Sequence, residues 1–189
     1  MLLTIHQHKI EINQPTSLET ITKKYFPDQQ IYAGIVNGKL YELNHIIEND
    51  ATIEWVDEQS IIGKQIYERT LTFVFIVATK QLFKDAVIHV EFTFQDGLYC
   101  SIQKKESLTP QDVDQIKQRM LDLIQQHSKI TRHVMPQNQA IDFFKQNHHE
   151  DKAHLLQYRS KDTCSIYEME GINDYFYGIM LPDASYLKH

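Results

Sequence analysis

At 189 residues, with 42% apolar and 23% charged side chains, the chain has the composition of an ordinary globular protein and is long enough to bury a sizeable core. Its 19 basic and 25 acidic residues give a net charge of −6, which argues against binding nucleic acid through overall charge and leaves only a local patch for that role. Cys100 and Cys164 are too few for a disulfide framework or a cysteine-rich zinc site, so two buried thiols are expected. The N-terminus lacks the apolar core of a signal peptide, and the longest apolar run falls far short of the ~20 residues that span a bilayer. A cytoplasmic, soluble protein with no membrane partner is the expectation.

The first 57 residues read as a small β-rich unit. Residues 3–6 and 9–12 alternate in hydrophobicity around Gln7 and His8, as a hairpin does. Thr16 or Ser17 can cap a short helix whose apolar face is Leu18, Ile21 and Tyr25, ended by Pro27 and Asp28. Residues 32–36 and 39–43 flank Asn37-Gly38, a strong short hairpin signal because a type I′ turn needs positive φ at both central positions. Residues 51–56 alternate as another strand. Two strands, a helix and three strands in this order predict a β-grasp, ubiquitin-like fold. His6, His8 and His45 lack ligand-spaced partners and read as strand or loop residues, and Trp55 reads as core.

The segment 35–43, followed by 47–54, resembles the TGS domain. That domain stands at the front of threonyl-tRNA synthetases, in some GTPases and in certain bacterial nucleoside kinases. The resemblance implies a ligand- or RNA-associated regulatory module. Acidic side chains outnumber basic ones within it, which weakens an RNA-binding reading.

Residues 58–189 read as a second unit, joined to the first through the short polar junction 57–60. Its first long segment, residues 67–83, supports two readings. Positions 70–77 are β-branched and aromatic, favouring a strand. The length, the absence of Gly or Pro, and the tail Ala78-Thr79-Lys80-Gln81-Leu82 favour a helix buried on most sides. A hairpin follows at 86–94 and 98–102. Thr109, Pro110 and Asp112 then start an amphipathic helix running to about His127 on Val113, Ile116, Met120, Leu123 and Ile124. His127, Arg132 and His133 read as a helix end and an exposed loop. Further helices are expected near Gln137 and at 152–156, and strands at 164–169 and 175–181. Elements in this order lack a regular βαβ rhythm, so the fold class is α+β with an antiparallel sheet.

This second unit resembles the editing domain that follows TGS in threonyl-tRNA synthetases, which hydrolyses mischarged tRNA and occurs in altered form in uridine-kinase-like nucleoside kinases. The family signature is HxxxH on the first helix and CxxxH near the end. Imidazoles one helical turn apart share a face and can jointly hold metal or position water. Carried onto this chain, the signature falls on Arg69 and Phe73, then on Phe176 and Met180. No imidazole or thiol remains at these positions, so no metal site is expected there. The resemblance retains Lys152, Asp174 and Tyr99 as supporting positions, and these with Arg69 are the candidate ligand-binding residues. Lys152 and Asp174 also read more simply as a structural ion pair or surface charge.

The resemblance is nearer the nucleoside-kinase form, in which a kinase domain using ATP and Mg follows. Nothing here matches GxxxxGK[ST], because Gly63-Lys64 lacks the preceding glycine and is followed by Gln65. The chain is therefore expected to be the non-catalytic regulatory front of such a kinase. The alternative is a tRNA-binding module or an aminoacyl-tRNA-editing hydrolase related to threonyl-tRNA synthetase. Its possible partners are a C-terminal kinase domain, tRNA, or a small nucleotide or amino-acid ligand. The cluster His148, His149, Glu150, Asp151 and His154 reads as a solvated loop, since His149 and His154 do not share a helical face. Lys104-Lys105 is too short to be a nucleic-acid patch.

Overall fold

Leu2–Ile5 (β1) and His8–Glu11 (β2) pair antiparallel, and the short strand Thr16–Ser17 (β3) leads into the helix Leu18–Tyr25 (α1). The computed structural model describes residues 1–5, 8–94, 97–147, 150–158 and 161–188, so the histidine at position 6 and those at 148, 149 and 189 lie outside the described residues. Ser17 caps α1 by accepting the Thr20 amide, which satisfies one of the otherwise unpaired first-turn donors.

Ile31–Val36 (β4) turns at Asn37-Gly38 into Lys39–Glu42 (β5). The two turn residues have φ of 49° and 81°, as a type I′ turn requires. Ile46–Ile47 (β6) pairs with β3, and Ala51–Asp57 (β7) enters the sheet between β1 and β4. The resulting order is β2-β1-β7-β4-β5, with β1 and β7 parallel and the other pairs antiparallel. This is a β-grasp sheet with α1 laid across it. Leu3, Ile5, Leu18, Ile21, Leu43 and Ile53 form its fully buried centre. Trp55 packs at the margin of this core, beside Phe26.

The ambiguous stretch is helical: Ile61–Leu82 (α2) runs unbroken from a Ser60 cap. Its β-branched residues do not oppose this, because Thr70, Thr72 and Thr79 donate their hydroxyls to the carbonyls of Ile66, Glu68 and Phe75, one turn back. Burial against several elements then outweighs local propensity. One apolar cluster joins Tyr32, Ala33 and Val56 of the first sheet to Ile66, Phe73, Val74 and Val77 of α2, so packing crosses the 57/58 junction.

Beyond α2, Val87–Phe94 (β8) and Gly97–Gln103 (β9) form a two-stranded sheet by themselves. Pro110–Gln125 (α3) starts with a full capping box between Thr109 and Asp112 and packs on α2. Lys104 is tied to that box through an ion pair with Asp112 at 3.2 Å. Thr131–Pro136 (β10), Gln137–Gln146 (α4), Glu150–Gln157 (α5), Thr163–Met169 (β11) and Ile172–Tyr175 (β12) complete a three-stranded antiparallel sheet with two covering helices. A 3-10 turn at Ala184–Tyr186 closes the chain against α3 and α2. The whole is α+β.

Three sequence expectations are corrected. Arg132 and His133 lie in β10, not in a loop. That strand has a mostly exposed edge and little apolar alternation, but Arg132 reaches both Ser165 of β11 and Glu42 of β5. Residues 175–181 are not a strand either. The sheet ends at Tyr175, and the backbone beyond is held by side chains in place of a ladder. Tyr167 donates its hydroxyl to the Gly178 carbonyl at 2.6 Å, Arg69 donates to the Ile179 carbonyl at 2.7 Å, and the Leu181 amide donates to Thr70 Oγ1 at 3.1 Å. Finally, Cys164 is buried but Cys100 is only half-buried, and both are free thiols.

Candidate functional site

Helix α2 presents different faces to two clefts and a packed seam between them. The seam contains the positions that the sequence assigns to a degenerate editing site. Phe73, from the fourth turn of α2, is fully buried and meets Phe176 edge-on at 5.5 Å between ring centres. Tyr167 of β11 completes the aromatic group, and Met180 fills its remaining side at 1% exposure. Arg69, one turn before Phe73, lays its guanidinium over Gly178 and donates to the Ile179 carbonyl. A Cβ at Gly178 would stand 2.8 Å from the guanidinium carbon, and φ there is +99°, so glycine serves both the approach and the turn. Burial lowers the Arg69 pKa from its ordinary value, and burial likewise pushes the Tyr167 phenol up.

Arg69, Phe73, Phe176 and Met180 thus do meet, as the signature requires. What they assemble is close packing around a guanidinium committed to the backbone. Phenylalanine and methionine offer no proton donor, base or hard ligand, so those positions bring no group to activate water. Among the described residues no group of three or more His, Cys, Asp or Glu is placed to hold a metal ion.

Lys152 on α5 and Asp174 on β12 form an ion pair at 2.7 Å, close beside the seam. Asp174 is 8% exposed, and its carboxylate also accepts the Tyr175 amide. The pair borders a pocket of about 390 Å³ whose rim includes Lys80, Lys84, Asn147 and Asn173. Lysines therefore outnumber carboxylates around an opening lined by side-chain amides. Such a pocket suits an anion or a polar, phosphate-bearing group.

Tyr99 does not join this pair. It lies on β9, half-exposed, stacked on Phe92 at 5.2 Å, and it borders a different cavity of about 1150 Å³ on the other side of α2. The walls there are Tyr32 of the first sheet, Tyr67, Leu71 and Phe75 of α2, and Val113 and Met120 of α3. This cavity was not foreseen, because its walls come from segments far apart in sequence. The one available signal was the half-apolar stripe of α2 opposite Phe73. Among the described residues, no helix is long and apolar enough to cross a membrane.

No family model matches the chain. It is 28% identical over 158 residues to the threonine–tRNA ligase of Teredinibacter turnerae, a match covering 83% of this chain and 25% of that protein. To the threonine–tRNA ligase of Methylococcus capsulatus it is 26% identical over 181 residues, covering 94% of this chain and 28% of the relative. The corresponding protein of Clostridioides difficile is 25% identical over 161 residues, covering 85% and 25%. The chain spans about a quarter of the length of these curated relatives. They agree with a TGS and editing-like region, and they lend no support to the expected nucleoside-kinase affiliation.

Proposed function

We propose that the chain is a tRNA-directed region, related to the corresponding part of threonyl-tRNA synthetases, that holds a tRNA acceptor end without hydrolysing it. The two units of the expected division, residues 1–57 and 58–189, would serve this together. The observation that carries the reading is the contrast between seam and pocket. The positions that would host the hydrolytic groups are packed shut, while Lys152 and Asp174 remain at the lip of an open, lysine-rimmed pocket. The lysines supply the local charge that an overall acidic chain needs to attract phosphates. This favours the tRNA alternative over the regulatory front of a uridine kinase, with its ATP and Mg.

The test is filter binding of unmodified threonine tRNA at several salt concentrations, beside a deacylation assay with mischarged threonine tRNA. Binding should weaken with salt, and Lys84→Glu should reduce the slope of log affinity against log salt by about one. Deacylation should run at the rate without protein. Hydrolysis above that rate that Lys152→Ala abolishes would show a working editing enzyme, and salt-independent or absent binding would remove the tRNA reading altogether.

A further inference from the structure

The cavity on the other side of α2, of about 1150 Å³, takes no part in this reading. Its walls are mainly apolar and aromatic, with Tyr32 and Tyr67 stacked 6.0 Å apart at one end and Phe75 and Tyr99 further along. The Tyr67 hydroxyl donates to the Lys188 carbonyl and that of Thr72 to the Glu68 carbonyl. Tyr32 differs. Its side chain is 98% buried as judged by a residue exposure of 2%, yet its hydroxyl has no hydrogen-bond partner among the described residues. That hydroxyl is also absent from the fully enclosed unpaired atoms, which are Trp55 Nε1 and Ser128 Oγ, so it opens onto the cavity. Glu58, an exposed residue, lines the same cavity; burial first, and then the Glu58 charge, push the Tyr32 phenol up to about 12. The cavity thus carries a hydroxyl that can donate and a carboxylate that can accept.

We propose that this cavity is a binding site for an uncharged, planar heterocycle carrying a cyclic amide. Its carbonyl accepts from Tyr32, its ring N–H donates to Glu58, and its faces lie against the aromatic walls. A hydrogen-bond donor facing a mainly apolar cavity confers selectivity on a bound ligand, because an analogue lacking the matching edge displaces its water and leaves it unpaired. The stacked tyrosines favour a flat ring over a branched aliphatic ligand. Nothing in this site depends on the lysine-rimmed pocket, so failure of one reading leaves the other standing.

The probe is 2-quinolinone, a flat bicyclic lactam, compared with N-methyl-2-quinolinone and naphthalene by saturation-transfer NMR and fluorescence titration on the full chain. The lactam should bind saturably at one site, with N-methylation weakening it about tenfold through loss of the hydrogen bond to a charged acceptor. Glu58→Ala, at an exposed position, should erase most of that preference, and Tyr32→Phe, which keeps the ring, should weaken both lactams alike; neither should change naphthalene binding. Circular dichroism of both variants checks that the fold persists. Equal affinity for all three probes, a lactam preference untouched by Glu58→Ala, or lactam binding untouched by Tyr32→Phe overturns the proposal, as does the absence of saturable binding.

Discussion

Both long sides of α2 carry large apolar residues, yet one is packed solid and the other borders a cavity. On the packed side, residues 176–181 come in as irregular backbone whose carbonyls and amides are taken up by Arg69, Tyr167 and Thr70. Freed from a strand ladder, that segment can follow the contour of Phe73 and press Met180 and Leu181 into it. On the open side the facing element is the β8–β9 hairpin. Among the described residues its strands pair with each other alone, apart from a register shift between Val90 and Phe92, and no irregular segment from elsewhere comes in to fill the space. Apolar residues alone do not make a core; an opposing surface must be free to conform to them.

That comparison can be broken most directly at Phe73. Replacing Phe73 with Ala should cost about 3–5 kcal/mol in urea unfolding, because the surrounding rings and Met180 cannot collapse onto the void. Phe75→Ala, at the cavity wall, should cost well under half as much. Equal losses would mean that the two sides are not packed differently.

A smaller effect separates bracing from ordinary helix chemistry. Thr70→Val keeps the shape but leaves the buried Leu181 amide without its acceptor, at a cost of about 1–3 kcal/mol. Thr72→Val loses only a hydroxyl donated within its own helix, and should change the melting temperature by a degree or two at most. Lys152→Ala, which strips Asp174 of its partner in a partly buried pair, should fall between these at about 1–2 kcal/mol in the same denaturation assay.

The smallest effect at neutral pH belongs to Tyr32→Phe on the open side, since the hydroxyl lost there has no partner to leave behind. Its signature is in alkali. A phenol raised from 10.0 to about 12 stays neutral in the folded protein while the unfolded chain ionises, so stability falls as pH rises from 10.0 towards about 12. Tyr32→Phe should flatten that part of the stability curve relative to wild type. An unchanged slope would place the phenol in contact with water, and not in an apolar wall.

How far the sequence could be read depended on where hydrogen bonds and burial come from. The β-grasp hairpin, the Ser17 and Thr109 caps and the amphipathic α3 were legible because their causes are local. Helix α2 was ambiguous since its threonines are satisfied only once it is a helix, and its burial is supplied by several other elements. The apolar run at 175–181 resembled a strand, but nothing in those residues reveals that Arg69, more than a hundred positions earlier, would supply the hydrogen bond. β10 escaped notice because an exposed edge strand needs no apolar alternation. At the candidate site, the sequence could align Lys152, Asp174 and Tyr99 along the chain, but it could not say that α2 would stand between Tyr99 and the other two.

The irregular segment after β12 also has a bearing on how the molecule is made. Its contacts reach far back along the chain: Tyr186 to Glu19, Ile179 to Arg69, Leu181 to Thr70, and Pro182 to Ile130. The β-grasp sheet has its own buried centre and can collapse as soon as it leaves the ribosome. The core around Phe73 cannot, since one wall is still untranslated when α2 is already out. During synthesis α2 must therefore wait with an aromatic stripe uncovered, and the delay grows with every residue separating the two partners. A nascent chain stalled before residue 179 should be a chaperone client, and one released past residue 187 should not.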